Sequence, residues 1–568
     1  MEQRRPIVPA VAHGCVAALL ALLAAAGTAG AQQAPREIPD LVPDRSEGDG
    51  PYERLILRGA IVVDGTGAPP FGPADLVIAG NRIAQIKVVG SPGAPIDPEG
   101  RPEASPGTRE LDVSGMYVLP GFIDLHGHQH TESSEQKVPA TYVHKLWLGH
   151  GITTIADVGN FDVDWLMLHK DRSARNAITS PRVYAMVVFG SGSGDDREPI
   201  ATPDQAREWV RWVKGKGADG IKFFGAPPDI LRAALEEAET QGLITTEHHA
   251  QLDVTRMNVL DTARAGLDWM QHWYGLPEAL FTDRVVQHYP ADYNYQNEAH
   301  RFGEAGRLWR QAAPPGSARW NEVMEELLEL DFTIVPTFVA YLASRDLMRQ
   351  SRNEWHALYT LPSLWDFYRP SPQAHGSYWF AWSSRNEVDW RENYRLWMAF
   401  INEYKNRGGR VGIGSDSGYI YNLYGFGHIQ EMELMLEAGF HPLEVFRAAT
   451  ISGAEALRQE DQIGSIQVGK LADLVVVPEN PLEDLKVLYG TGALRLDFQS
   501  GEMVRKGGIR YTIKDGIVYD APRLLADVRA MVEKARAEAG LPPPPMPLFI
   551  DTDYAQGVER STVTAGGG

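Results

Sequence analysis

From residue 52 the chain sets short apolar runs against turn residues. Leu55-Ile56-Leu57, Ala60-Ile61-Val62-Val63, Asp75-Leu76-Val77-Ile78 and Arg82-Ile83-Ala84-Gln85-Ile86 are rich in β-branched residues and separated by Asp-Gly, Gly-Asn and Pro-containing turns. This pattern predicts a small antiparallel β unit. The texture returns late in the chain, where Leu474-Val475-Val476-Val477, Met503-Val504 and residues 509–513 read as strands and Lys514-Asp515-Gly516-Ile517 as a hairpin turn. Two strand-rich segments flanking a long middle predict one β-sandwich built from both chain ends, residues 52–118 and 458–520.

Between them, residues 119–457 alternate strand and helix signals. Thr202-Pro203-Asp204-Gln205 has the form of a capping box with proline at the first helical position, and Gly217 stops that helix. The apolar run Gly220-Ile221-Lys222-Phe223-Phe224 follows at once, and similar strand signals fall at 117–123, 153–156, 183–189, 333–336 and 411–414. Repeated strand–helix units in one long domain predict an α/β fold, a (β/α)8 TIM barrel. The segment exceeds the ~250 residues such a barrel needs. Its surplus falls at about 273–397, which holds nine of the fourteen tryptophans. That aromatic insertion reads either as a lid or substrate wall, or as a helical appendage with its own core. Residues 521–568 read as a C-terminal helix and a Pro/Gly-rich tail.

The N-terminus adds a processing step. Arg4 and Arg5 precede an apolar run over residues 16–26 and an Ala29-Gly30-Ala31 ending. This predicts a signal peptide over residues 1–31, with an apolar stretch short of the ~20 residues a bilayer span needs, cleaved after Ala31. A polar, poorly ordered leader over 32–51 follows, and the location is periplasmic or secreted. The single cysteine, Cys15, stands before the apolar run, unlike a lipoprotein acylation site, and is removed with it. The mature chain then has neither disulfides nor thiolate ligands. A metal there must be held by histidine, carboxylate or a group built on lysine.

Composition narrows the partners. Charged residues make up 23% and hydrophobic residues 43% of 568, ordinary for a globular protein. A net charge of -20 without any basic run excludes nucleic acid. A small-molecule substrate is expected, with no stable membrane span after signal cleavage and with oligomer formation left open.

Candidate chemistry gathers at predicted strand ends. His126 and His128 close Pro120-Gly121-Phe122-Ile123-Asp124-Leu125-His126-Gly127-His128, and side chains two apart on a strand share one side. Lys222 lies inside an apolar strand, where an ammonium is costly to desolvate. A lysine with a lowered pKa is a nucleophile for carbon dioxide, and the carbamate is an anionic, bidentate oxygen ligand; a buried ion pair is the structural alternative. His249 follows Ile244-Thr245-Thr246, His272 follows Gly266-Leu267-Asp268-Trp269-Met270, and Asp416 ends Val411-Gly412-Ile413-Gly414-Ser415. His248 is expected to point the opposite way from His249 and pack outside the barrel. His130 is expected behind the ligands or at the surface, while Tyr274 and His428 are candidates for substrate contact. His150, His288, His300, His375 and His441 show no constellation.

The motifs PGFIDLHGH (120–128), LGHGITTIADVG (148–159), GADGIKFF (217–224), HHA (248–250), GLDWMQH (266–272), GIGSDSG (412–418) and GSIQVGKLADLVVVPENPL (464–482) together resemble the amidohydrolase superfamily. The likeness is to its metal-dependent binuclear branch, including imidazolonepropionase-like and Xaa-Pro dipeptidase-like members, over residues 52–520. It implies that His126 and His128 bind one metal, His249 and His272 a second, that carboxylated Lys222 bridges them, and that Asp416 completes the site. The implied cofactors are two divalent ions, zinc first with manganese and cobalt also suited, and carbon dioxide for the lysine. The implied activity is hydrolysis of C–N amide bonds in linear or cyclic amides or small peptides. A metal-bridging hydroxide attacks and Asp416 is the catalytic proton carrier. Dipeptide-cleaving relatives often carry Gly-Gly-His after the third strand, where this chain reads Phe189-Gly190-Ser191-Gly192-Ser193-Gly194. The alternatives are a lactone or ester hydrolase, an aminohydrolase (deaminase), which usually manages with one metal and no bridging lysine, and a non-catalytic binding protein.

Overall fold

Strands Tyr117–Pro120 and Phe122–Gly127 are separated by one residue yet belong to different sheets. The break is Gly121, where a Cβ would run into the side chain of Thr153. The single strand expected over 117–123 is therefore two, because an unbroken apolar run does not mark which sheet each half joins. The computed structural model describes residues 38–96, 98–192, 199–371 and 378–543. The expected signal peptide and the end of the C-terminal tail lie outside the described residues.

Tyr117–Pro120 is where the chain ends meet. Leu474–Val477 pairs with it antiparallel on one side and Arg54–Val62 pairs with it on the other. The result is one hydrogen-bonded sheet of eight strands drawn from both ends, with Leu55, Leu57, Leu76, Val118, Leu474, Val476 and Ile513 in its core. Two expected strands, 55–57 and 60–63, form one strand whose pairing slips twice. The expected hairpin forms between Tyr511–Lys514 and Ile517–Asp520. Asp515 (φ 51°) and Gly516 (φ 74°) take the left-handed conformations that a two-residue turn of this hand requires. Met503–Lys506 instead pairs with Ala493–Leu496 as a separate two-stranded ribbon.

The middle is a TIM-like barrel. Its strands are β1 (Phe122–Gly127), β2 (Ile152–Asp157), β3 (Arg182–Val188), β4 (Gly220–Phe223), β5 (Ile244–His248), β6 (Trp269–Gln271), β7 (Thr333–Val335) and β8 (Arg410–Val411). They pair in chain order, all parallel. The segment after β8 runs back along β1, with Leu125 N donating to Ile413 O (2.8 Å) and Asp416 N to His126 O (2.9 Å). Ile123, Leu125, Ala156, Met186, Ile244, Trp269 and Val335 pack as one cluster.

The surplus of 273–397 is split by β7. Each part holds a barrel helix, Ala318–Glu329 and Ser384–Asn406, with shorter helices such as Glu298–Ala305 added. Trp273, Trp309, Trp320, Trp390 and Trp397 are fully buried, and Trp273 lies 5.9 Å from Trp397 between ring centroids. The aromatic excess is a core, and Tyr341 carries it to 5.6 Å from the ring of His272.

The described part of the leader, residues 38–51, is tied to the rest of the chain, contrary to expectation. Val42 is buried with its N–H on His169 Nε2 (3.2 Å), Arg45 N donates to Ala177 O (2.8 Å), and Asp49 bridges to Val518. Composition misses this because several polar groups of the leader, such as Arg45 and Glu47, find partners elsewhere in the chain rather than water. Among the described residues no helix is long and apolar enough to cross a membrane.

Candidate metal centre

At the carboxyl end of β1 the pairing with β2 slips between Asp124 and Gly127. Beyond that slip the rings of His126 and His128 stand 5.0 Å apart and both reach Asp416, with Nε2 to Oδ1 distances of 3.3 and 2.8 Å. From the end of β6, His272 places Nε2 3.7 Å from Asp416 Oδ2. The ligand atoms of His126, His272 and Asp416 lie within 4.8 Å of one another. His272 (φ 64°), Asp416 (φ 48°) and Thr337 (φ 53°) all hold left-handed backbones, a cluster of strain at one strand-end rim. For a β-branched residue such as Thr337 that conformation is a true outlier.

Thr337 repays its strain by fixing a tautomer. Its hydroxyl gives its one proton to Pro336 O (2.6 Å) and so accepts from Nδ1 of His272 (2.5 Å), leaving the lone pair of Nε2 directed at Asp416. Burial pushes His272 down to about 3 and His126 well below its usual value, so both are neutral imidazoles, the form that binds metal. Burial pushes Asp416 up, but His126, His128 and His272 outweigh it and hold the carboxyl well below its ordinary range. The rim is thus an anionic oxygen facing neutral nitrogen donors.

Lys222, near the end of β4, is fully buried with Nζ 4.9 Å from the ring centroid of Phe224. Nζ has no hydrogen-bond partner, and burial lowers its pKa to about 7. A buried amine with no partner is a group lacking half of its site. Neutral imidazoles and a carboxylate are donors that fit a divalent metal ion.

His249 does not join them. Its Nε2 meets the hydroxyl of Thr262 at 2.8 Å and its ring packs under Gly275, on the side of β5 away from the centre. His248, expected outside the barrel, instead takes the place expected of His249, 4.6 Å from the ring of His272, 5.7 Å from Phe224 and 5.8 Å from Tyr274. The reason is parity. Thr246 pairs with Lys222, so side chains at 246 and 248 share the side of Lys222 while 249 falls outside it.

His428, expected to meet substrate, is fully buried and packed against β1. Its Nδ1 lies 3.5 Å from Asp124 Oδ2 and its ring stacks on Phe122. The other oxygen of Asp124 accepts from His126 N (3.0 Å) and Ser415 N (2.9 Å), tying together the two backbones that carry His126 and Asp416. Burial pushes the Asp124 carboxyl up, but His428 outweighs it and the pKa falls. His130 stacks on His128 at 5.3 Å and bonds the hydroxyl of Tyr424, so it stands behind the ligands. Tyr274 is buried beside His248 and stacked on Trp273 at 4.4 Å. His150 bonds Leu146 O, His441 caps the helix Pro442–Ala449, and His375 lies outside the described residues. Sequence reasoning missed His248, Asp124 and Thr337; only His248 carried a signal, the parity along β5.

Comparison with known proteins identifies the family. The sequence profile of the amidohydrolase family matches residues 117–289 and 397–518, more than half of the chain, and leaves out most of the aromatic insertion. Over 251 residues the chain is 27% identical to 5-methylthioadenosine/S-adenosylhomocysteine deaminase of Symbiobacterium thermophilum, a match covering 39% of this chain and 55% of that protein. Over 74 residues it is 42% identical to N-acyl-D-glutamate deacylase of Alcaligenes xylosoxydans xylosoxydans, covering 13% of this chain and 12% of that protein. The matches therefore span about half or less of these curated relatives. A solved Xaa-Pro dipeptidase with methionine bound in its active site shares the fold with a TM-score of 0.52 at 20% identity, over 82% of this chain and 100% of that one. The chain belongs to the amidohydrolase family.

Proposed function

We propose that this protein is a metal-dependent hydrolase of C–N amide bonds, acting on linear or cyclic amides or small peptides. The observation that carries this reading is the convergence of three histidine Nε2 atoms on Asp416 beside a buried, partnerless Lys222 amine. His126 and His128 would hold one divalent ion and His248 and His272 the other, with carboxylated Lys222 between them and Asp416 completing the set. Zinc suits these donors first, with manganese and cobalt also compatible. Ions bound there supply Lewis acidity to a carbonyl and lower the pKa of a water.

The chain's own residues do the rest. Asp416, anionic and at the rim, takes a proton at Oδ1 or Oδ2 and returns it to the departing nitrogen, since an amine leaves readily only when protonated. Asp124, through its two backbone bonds, keeps His126 and Asp416 in step. Tyr341 and Tyr274 bring the aromatic core up to His272 and His248 and shield that side from water. A deaminase reading, suggested by one relative's name, leaves Lys222 without a role. We also read residues 1–31 as an export signal for a periplasmic or secreted enzyme, which N-terminal sequencing of the mature protein from Gln32 tests.

Metal analysis and a substrate panel test the main reading. About two equivalents of metal per chain, a carbamate carbon signal from Lys222 in labelled bicarbonate and turnover of amides are expected. A metal-free protein after growth in ample zinc, inert towards N-acyl amino acids, dipeptides and cyclic amides, overturns it. Turnover confined to lactones moves the reading to ester chemistry.

A further inference from the structure

Arg301 lies on the helix Glu298–Ala305, inside the stretch that the family profile leaves out. Its Nε donates to Gln251 Oε1 at 3.0 Å, and Gln251 stands three residues beyond His248 on the loop leaving β5. Its guanidinium lies 4.6 Å from the ring centroid of Tyr295 and 4.9 Å from that of Phe302. Its positive charge reaches His248, Tyr274 and Tyr341, all around the metal centre. No carboxylate among the described residues lies within ion-pair distance of it, whereas nearby Arg307 and Arg310 are both paired with acids. A half-buried guanidinium backed by aromatic rings is costly to leave without an anion. A second orphan stands beside it: Gln251 is 6% exposed and its Nε2 has no acceptor. One carboxylate oxygen pair satisfies both donors, because guanidinium geometry matches carboxylate in bidentate fashion.

Two large apolar side chains are exposed near His248 and Gln251. Phe224, at the end of β4, is 43% exposed against His248, and Leu252, next to Gln251, is 59% exposed. Large apolar side chains left open beside a polar centre mark a binding surface.

We propose that Arg301, seconded by Gln251, anchors a carboxylate of the substrate, so that the enzyme selects amides that carry both a carboxylate and a bulky apolar group. This rests on the hydrolase reading for its chemistry, but the anchor can be tested by binding alone. N-acyl amino acids and dipeptides share that carboxylate; the apolar rim favours the acylated form, which has no ammonium to desolvate.

The test is calorimetric titration of the metal-loaded full chain with N-benzoylleucine, N-benzoylleucinamide and glycylleucine. Wild type is expected to bind N-benzoylleucine about tenfold or more tightly than its amide, and more tightly than glycylleucine. Arg301→Gln brings the acid-to-amide ratio to about one without weakening amide binding, Arg301→Lys restores part of it, and Gln251→Leu lowers it with the arginine in place. Far-UV circular dichroism of each variant checks the fold. A wild type without acid preference, or Arg301→Gln and Gln251→Leu variants that both keep it, overturns the anchor. Tighter glycylleucine binding with the ratio still lost in Arg301→Gln keeps the anchor and moves the substrate to dipeptides. If the ratio is lost as expected but no N-benzoyl amino acid or peptide is cleaved, the anchor stands and the hydrolase reading falls.

Discussion

Gly159 abuts His128 so closely that a Cβ built on Gly159 would run into the imidazole Nδ1. Its φ is not in the left-handed region, so the demand for glycine here is steric. Gly159 N also donates to Asp157 Oδ1 at 3.2 Å, which fixes the loop leaving β2 against the ring. An added methyl must therefore displace the imidazole, not the loop. Gly159→Ala is expected to leave the fold intact and weaken metal binding about 10- to 100-fold, as lost support around a ligand does. Chelator competition measures this, and an unchanged affinity would show that the ring has room to move.

Asp416→Asn separates holding the centre from catalysis. Asparagine tolerates the left-handed backbone at 416 and keeps one oxygen as a ligand, so the rim should survive the change. It accepts no proton, and general-base assistance is worth about 10²–10⁴-fold. The expected result is turnover lowered by that order with metal content largely retained. Near-normal turnover would remove Asp416 from proton transfer and leave it as a ligand.

The pair His248 and His249 gives a direct comparison of neighbours. His248→Ala is expected to lose about one of two metal equivalents and nearly all activity. His249→Ala opens a cavity under Gly275 and frees the hydroxyl of Thr262; it should lower the thermal midpoint while the metal content stays at wild type. Metal analysis and calorimetry on both variants decide the matter, and metal loss in His249→Ala alone would reverse the assignment.

Much of this candidate centre was legible in the chain because its residues end strands. The apolar runs before His126, Lys222 and Asp416 mark their own strands, and strand ends of a parallel barrel face one rim. The phase at His248 was not legible from β5 alone, since two adjacent histidines fit either parity until pairing of Thr246 with Lys222 sets the side. His428 was misplaced because its partner Asp124 lies some three hundred residues away, and no local pattern records a long-range buried pair. Likewise Gly121 looks like one more residue of an apolar run until Thr153 is seen against it. The tryptophan-rich stretch advertised a core by composition, but nothing local distinguished a free-standing core from one that also walls the metal centre.

The leader offers a prediction about stability. Glu47 pairs with Lys145 at 2.6 Å and accepts from the Thr179 hydroxyl at 2.6 Å, while Lys145 also pairs with Asp527 on the helix Ala521–Glu538 at 2.8 Å. Burial raises the Glu47 pKa, but the bonds from Lys145 and Thr179 prevail and bring it from 4.5 down to about 2. A carboxyl lowered in the folded state adds stability above its unfolded pKa and loses it as pH falls through the folded one. The thermal midpoint of wild type should thus exceed that of Glu47→Gln by a constant margin at neutral pH, and the margin should close between pH 4.5 and about 2. The groups are partly solvated, so the margin is small, roughly 1–2 °C. Scanning calorimetry of the two proteins across that range measures the difference directly, with every other titrating carboxylate common to both. A margin that persists unchanged at pH 2 would mean that Glu47 holds the leader by its packing and not by its charge.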